Sequence, residues 1–373
     1  MGLYETVAEY LEKFPSRGWV KGLSSGGSYE RVVPVPAAGP LPVQFDPPQT
    51  VTWPAEKVFF IEDCRYWGFY GGSLISHDDH ILYEVSPDVW GPRRHALLSQ
   101  MKLPAIHRLE GITAVISTPE ASTNYGHWMV DLLPRIELLR LAGYGPDQVD
   151  RYLVNLGSSS YCLETLALAG IPARKIQPVD DSSHYKCDAV VVSSQRAGHW
   201  RNNMPGWVPG FLASLNDQPA PGHPSPSRRL YLSRRDCQYR RVLNDDAVTK
   251  KMQAAGFEVI ESGTLSVRDQ IRLFSEAAVI VSSHSSALTN LTFCQPGCRV
   301  LEIFSNTYFD SSFWTMATAA RGHYAAMTAN GGASFDEAIP YMDGQRRNTT
   351  IDTKFLKHAM RRLNVEGEVI KRA

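Results

Sequence analysis

At 373 residues the chain has room for two or three domains of ~150 residues each. Hydrophobic residues make up 43% and charged residues 20%, which excludes disorder of the whole chain. Lys plus Arg (38) equals Asp plus Glu (38), so no global field attracts nucleic acid or an anionic membrane, and a charged substrate must be met by a local cluster.

Residues 1–14 read as a short amphipathic helix, with Leu3, Val7, Tyr10, Leu11 and Phe14 near helical spacing. The same stretch carries acids and no apolar core segment, so no signal peptide is expected, and no run nears the ~18 apolar residues of a membrane span. Residues 15–56 are rich in Gly, Ser and Pro and look extended. Short apolar runs from Lys57 to Glu84, broken by Gly71-Gly72 and by His77-Asp-Asp-His80, suit antiparallel hairpins. The His77–His80 turn is read as a hairpin connection rather than a metal site. The six cysteines are scattered without a CxxC pair, which points to reduced thiols and to no zinc site.

From Ile112 the pattern alternates. Strands are expected at Ile112–Ser117, Tyr152–Leu156 and Ala189–Ser193, with helices at Asn124–Ala142 and Tyr161–Ala169. Prolines 219, 221, 224 and 226 mark a linker. The grammar then repeats: strands at Arg229–Ser233, Phe257–Glu261, Ala278–Ser282 and Val300–Phe304, and helices at Asp245–Ala255, at Ser266–Glu276 and at Ser286–Phe293. Asn244 is expected to cap the first of these helices and Ser266 the second. A last basic helix is expected over Lys354–Leu363. Strand–helix alternation of this kind builds parallel sheets that bind ligands at the carboxyl ends of their strands.

Three features carry chemistry. Residues 228–241 hold six arginines and one acid, at a strand end before a helix. Arginine matches phosphate oxygens bidentately, and the helix N-terminus beyond adds backbone donors. The second is the loop Ser282-Ser-His-Ser-Ser-Ala-Leu-Thr-Asn290, whose small residues and hydroxyls suit an oxygen-rich ligand; with it goes Glu302, an acid inside an apolar strand. Such an acid is either a strand-end ligand for hydroxyls or a partner of one of the arginines. The third is Asn124-Tyr-Gly-His-Trp-Met-Val-Asp-Leu-Leu-Pro-Arg135, where His127, Asp131 and Arg135 fall at i, i+4 and i+8 on one helix face. A hydrogen-bonded His–Asp pair is a workable general base or a half-buried structural pair.

These blocks and their order resemble glycosyltransferase family 61, also described among capsular polysaccharide biosynthesis proteins. Asn124 to Arg135 is similar to the family's Asn-Tyr-x-His-Trp-x-x-Asp-x-x-Pro-Arg, and Tyr231 to Arg234 with Arg240 to Asp245 is similar to its Ser-Arg…Arg-Arg-x-x-Asn-Glu. Two departures stand out: Asp245 replaces Glu, and Ser285-Ser-Ala287 replaces Gly-Ala-Gly. The resemblance, closest to soluble bacterial members, implies an α/β, GT-B-like architecture with two Rossmann-like domains facing a cleft. It divides the chain into an N-terminal helix and β-rich extension (1–110), an acceptor-side domain (111–215), a linker (216–228) and a donor domain with the C-terminal helix (229–373).

It also implies inverting, metal-independent transfer from a nucleotide-sugar donor, taken as UDP-linked, to a saccharide or glycan hydroxyl. Asp131 is expected as the base with His127 as its partner, the reverse being nearly as good. Ser233, Arg234, Arg240, Arg241, His284, Ser285 and Ser286 are expected at the diphosphate and Glu302 at the ribose, with Asn124, Arg135, Asn244 and Asn290 in support. No cofactor is expected beyond the donor itself, no nucleic acid and no membrane span. A cytoplasmic location is expected, peripheral attachment to the inner membrane and homodimerisation staying open. The alternative is a non-catalytic nucleotide- or saccharide-binding subunit of a polysaccharide assembly system.

Overall fold

The computed structural model describes residues 2–39, 41, 45, 50–86, 95–100, 102–194, 203–216, 225–331 and 339–362. Most of the stretch read as a linker, 217–224, lies outside them, as does Leu363. The chain falls into two compact units, Met1–Gly27 with Thr52–Leu215, and Ser28–Val51 with Asn216–Ala373.

The first unit opens with strand β1 (Gly2–Tyr4) and helix α1 (Val7–Lys13). The helix expected from residue 1 therefore starts late. Thr6 caps it through a capping box with Glu9, while Gly2–Tyr4 pair in parallel with His80–Leu82. Strand β2 (Gly18–Ser24) follows. Over Ser28–Val51 the chain belongs to the second unit, with β3 (Gly27–Glu30), β4 (Val35–Ala38) and β5 (Thr50–Trp53) along or beside that stretch, and it resumes in the first with β6 (Glu56–Trp67), longer than the short apolar runs expected there. One edge of β6 is shared, Glu56–Ile61 pairing with β2 and Arg65–Trp67 with β7 (Ser73–Ile75), and between them Asp63 takes a positive φ of 55°. Residues 76–79 turn the chain into β8 (His80–Leu82), as the hairpin reading expects.

The alternating part then runs β9 (His107–Val115), α2 (residues 125–141), β10 (Arg151–Val154), α3 (Tyr161–Leu168), β11 (Ile176–Pro178), β12 (His184–Ser193) and helix α4 (Val208–Ser214). The sheet order is β1-β8-β7-β6-β12-β9-β10-β11, parallel from β12 to β11 and antiparallel where β12 meets β6. Successive strands β9, β10 and β11 march one way, and β12 returns to the other side of β9. Strand order thus reverses at β9, whose carboxyl end leads into α2.

The second unit is a six-stranded, all-parallel sheet. Its elements are β13 (Arg228–Leu232), α5 (Asp245–Ala254), β14 (Glu258–Ile260), α6 (Val267–Ser275), β15 (Ala277–Ser283), a 3-10 helix (Ser286–Phe293) and β16 (Arg299–Phe304). After these come α7 (Ser312–Ala319), β17 (His323–Thr328), α8 (Tyr341–Arg346) and α9 (Thr353–Arg362). The strands are apolar almost throughout, as strands covered on both faces must be. Val281, Leu301 and Ile303 pack with Val248 and Met252 of α5 and Leu356 of α9. Each such buried side chain is worth ~1.5–3 kcal/mol.

The order β14-β13-β15-β16-β17-β4 puts a topological switch between β13 and β15, because the chain leaves β13 toward β14 and comes back on its other side. β4 belongs here rather than with the N-terminal extension. Val35–Ala38 add a sixth strand along β17, where Ala37 and Ala38 are buried. No helix among the described residues is long and apolar enough to cross a membrane.

Candidate active site

In the first unit Asn124 caps α2, its side-chain oxygen accepting from the Gly126 N–H at 2.9 Å. Pro134 has no N–H to offer the carbonyl four residues back. The helix widens there into a π turn over Trp128–Leu132, a form frequent at functional sites. Arg135 Nε donates to the Asp131 backbone carbonyl at 3.0 Å and so secures that turn. The expected polar stripe is not a solvated face: Asp131 is 3% exposed and Arg135 4%, while Trp128, Met129, Leu132 and Leu133 pack fully inside.

His127 lies between two carboxylates. Its Nδ1 meets Asp131 Oδ2 at 2.6 Å and its Nε2 meets Glu120 Oε2 at 3.0 Å. Burial pulls the imidazole down, but its bonds to Asp131 and Glu120 outweigh that and raise it to about 10. At neutral pH the ring is an imidazolium with both nitrogens engaged. Asp131 Oδ1 is buried and has no hydrogen-bond partner among the described residues. An orphaned carboxylate oxygen held beside a cation is poised to accept a proton from a hydroxyl. Glu120 sits in the loop after β9 at a positive φ of 62°, four residues before Asn124, and sequence reading missed it because it lies outside the helix spacing that links His127 to Asp131.

In the second unit the arginine loop leaves β13 and the Ser283–Ser286 loop leaves β15, so both stand at the switch between those strands. Arg234 is 6% exposed and turns inward on its own loop, Nε to the Arg240 carbonyl at 2.9 Å and Nη2 to the Tyr239 carbonyl at 2.7 Å. Burial lowers it to about 10, with Arg240 adding to the effect. Arg240 itself takes a positive φ of 53°, donates from Nη1 to the Gln345 carbonyl at 2.9 Å and reaches the His284 carbonyl from Nε at 3.4 Å. It also lies 5.5 Å from the Tyr308 ring centroid. No carboxylate pairs with Arg234 or Arg240 among the described residues. The Arg241 guanidinium is exposed, and only its backbone is tied, to Asn348 and Thr349.

His284 is 7% exposed and directs Nδ1 to Glu302 Oε1 at 2.6 Å. Burial, then Arg240 and Arg234, hold this imidazole well below its ordinary value, while burial raises the Glu302 carboxyl. The proton therefore rests on the carboxyl, Nδ1 accepts it, and Nε2–H is left as a neutral donor. Glu302 is 0% exposed, and its second oxygen accepts from the Tyr324 hydroxyl. An acid so enclosed has no face to offer a ribose. Its place in the middle of β16, between β15 and β17, makes it the residue that orients His284, and neither of the roles expected of it describes that.

Other expected contacts also turn out to be internal. Ser233 Oγ donates to Asp245 Oδ2 at 3.1 Å, and Asp245 further accepts from Tyr231, Thr249 and Arg235, so the Asp in place of Glu anchors the loop. Ser285 caps the 3-10 helix through the Ala287 N–H at 3.3 Å; Ser286 opens that helix. Asn290 is fully buried and donates to Gln270 at 2.7 Å. Asn244 occupies the cap position of α5 without capping it, since its side chain pairs with both the N–H and the carbonyl of Ile351.

Among the described residues no group of three or more His, Cys, Asp or Glu is arranged to hold a metal ion. What the second unit offers is two unpaired guanidiniums, a third exposed one, and a neutral imidazole at one sheet edge, an arrangement that attracts a compact, highly charged anion. No curated protein matches the chain. Residues 125–301, which run from the start of α2 into β16 and include His127, Asp131, Arg234, Arg240 and His284, match the family model described as Glycosyltransferase 61. Over this segment, a little under half of its length, the chain is similar to the glycosyltransferase 61 family.

Proposed function

We propose that the protein is an inverting glycosyltransferase of the GT-B kind that moves a sugar from a nucleotide-sugar donor, UDP-linked, to a saccharide hydroxyl without a metal ion. The observation that carries this reading is the unpaired guanidinium pair, Arg234 and Arg240, beside His284 at the strand-order switch of an all-parallel sheet. Ligands of open α/β sheets bind at that position, and a nucleoside diphosphate is the anion such charge suits.

The chemistry needs two groups. Asp131 Oδ1 takes the acceptor hydroxyl's proton as that oxygen forms its bond to the anomeric carbon. The bond from that carbon to the diphosphate oxygen breaks on the opposite face, and its electron pair leaves with the diphosphate. Arg240, Arg241 and the His284 Nε2–H neutralise the departing charge, while Arg234 holds the loop that presents them. His127 is a positioning residue, since both its nitrogens are occupied and its Nδ1 holds Asp131 Oδ2, leaving Oδ1 to the acceptor.

Incubation with a panel of nucleotide sugars in the presence of a chelator tests the reading. Release of nucleoside diphosphate that rises on adding saccharide acceptors is expected. Thermal stabilisation by nucleotides without release under any acceptor would instead make the protein a non-catalytic binding subunit.

A further inference from the structure

The first unit holds a cleft of about 660 Å³ that the reaction as drawn above leaves unassigned. Three loops wall most of it, around Tyr70, around Glu120 and around Asp181, and Asn155 and Leu156 complete the lining. We infer that this cleft is the acceptor subsite and that it takes an uncharged or amino sugar and rejects acidic ones. This inference rests on the transferase reading, but its test does not need turnover.

The walls are built tightly. A Cβ on Gly68 would lie 2.1 Å from the Asp180 carbonyl oxygen, and one on Gly71 2.3 Å from the Pro119 nitrogen, so the three loops press backbone to backbone. Tyr70 and Glu120 both adopt positive φ, 56° and 62°, among only six non-glycine residues that do so in the described chain. Non-glycine residues strained in this way cluster at functional sites, and here both face one cavity.

The lining then specifies the ligand. Tyr70 is 39% exposed and offers a ring against which the apolar face of a pyranose can lie. The hydroxyls of Ser122, Thr123 and Ser182 suit sugar hydroxyls. Glu120, Asp180 and Asp181 bring negative charge, and the lining includes no lysine or arginine. The Ser182 hydroxyl, with backbone and Ser183 donors, keeps Asp180 below the usual carboxylate range and so ionised. A uronate, sialate or phosphate would enter against this field, a rejection built from like charge. Glu120 also bonds His127, so the cleft borders the His127–Asp131 pair and its unpartnered Oδ1.

Saturation-transfer NMR of the full chain with matched methyl glycosides tests this: methyl glucoside, methyl glucosaminide and methyl glucuronide. Neutral and amino glycosides are expected to bind at least tenfold more tightly than the glucuronide. Asp181→Asn, which keeps the oxygen that accepts the Tyr70 N–H, should narrow that gap severalfold, and Tyr70→Ala should abolish saturation of all three. Equal or tighter glucuronide binding would overturn the inference, as would unchanged binding in Tyr70→Ala or no binding by any glycoside. Binding that follows the expected order without diphosphate release from any donor would sink the transferase reading and leave standing only the cleft's preference among sugars.

Discussion

Two histidines, part-buried His127 in one unit and buried His284 in the other, are held in opposite states. His127 lies between Asp131 and Glu120 and is raised to about 10; His284 lies beside Arg240 and Arg234 and is held well below its ordinary value. Burial pushes both rings the same way, so the sign of the surrounding charge decides. In the first unit a surplus of carboxylate leaves one oxygen free to take a proton. In the second a surplus of guanidinium leaves a neutral donor and room for an anion. The residue type carries little of the function, and the neighbours it is given carry most of it.

The sharpest way to break the contrast is Asp131→Asn. It keeps the size of the side chain and removes the proton acceptor, so transfer should fall ~10²–10⁴-fold, the usual worth of a general base. Nucleoside diphosphate binding, measured calorimetrically, should stay within twofold of the parent, because those donors belong to the other unit.

The pH dependence of stability separates the two histidines next. His127 is raised in the folded state above its ordinary 6.5, so the stability it contributes is fully present below about 6.5 and gone above about 10. Across that window the unfolding free energy should fall by up to ~1.4 kcal/mol per pH unit. Half-exposed Glu120 screens part of this, so the slope is an upper bound. Urea denaturation between pH 7 and 10 reads it, and His127→Gln should flatten the decline.

Arg240→Ala should weaken nucleoside diphosphate binding by ~1.5–3 kcal/mol, the worth of a charge-assisted contact. Because Arg240 also depresses His284, the same variant should raise the pH at which His284 takes up a proton. The smallest effect is expected from Ser285→Ala. Loss of the cap should cost ~1 kcal/mol in a denaturation curve and leave diphosphate affinity unchanged, since the hydroxyl serves Ala287. A tenfold loss of affinity with intact stability would return Ser285 to the ligand.

Much of the fold was legible in the sequence. Tyr161–Leu168 and the 3-10 helix Ser286–Phe293 end within a residue of their expected bounds, because glycine, serine and apolar spacing punctuate them clearly. β17 escaped notice, since His323–Thr328 is rich in alanine and poor in the β-branched residues that mark strands. So did the contribution of Val35–Ala38, whose partner strand lies some 290 residues away in the chain.

At the site, the His127–Asp131 bond followed from helix spacing alone. Glu120, Tyr324 and Tyr308 did not, because each reaches its partner through tertiary packing rather than along one element. Glu302 shows the limit most clearly. An acid within an apolar strand signals a partner, but the strand pattern does not say which, and the partner is the histidine one strand over.

The most direct measurement is a histidine-selective NMR titration of the full chain from pH 5 to 10.5. His127 should stay an imidazolium until about 10, and His284 should take up its proton only well below 6.5. Two rings titrating together near 6.5 would mean that neither cluster is charged as described, and the division of labour between carboxylates and guanidiniums would fail with it.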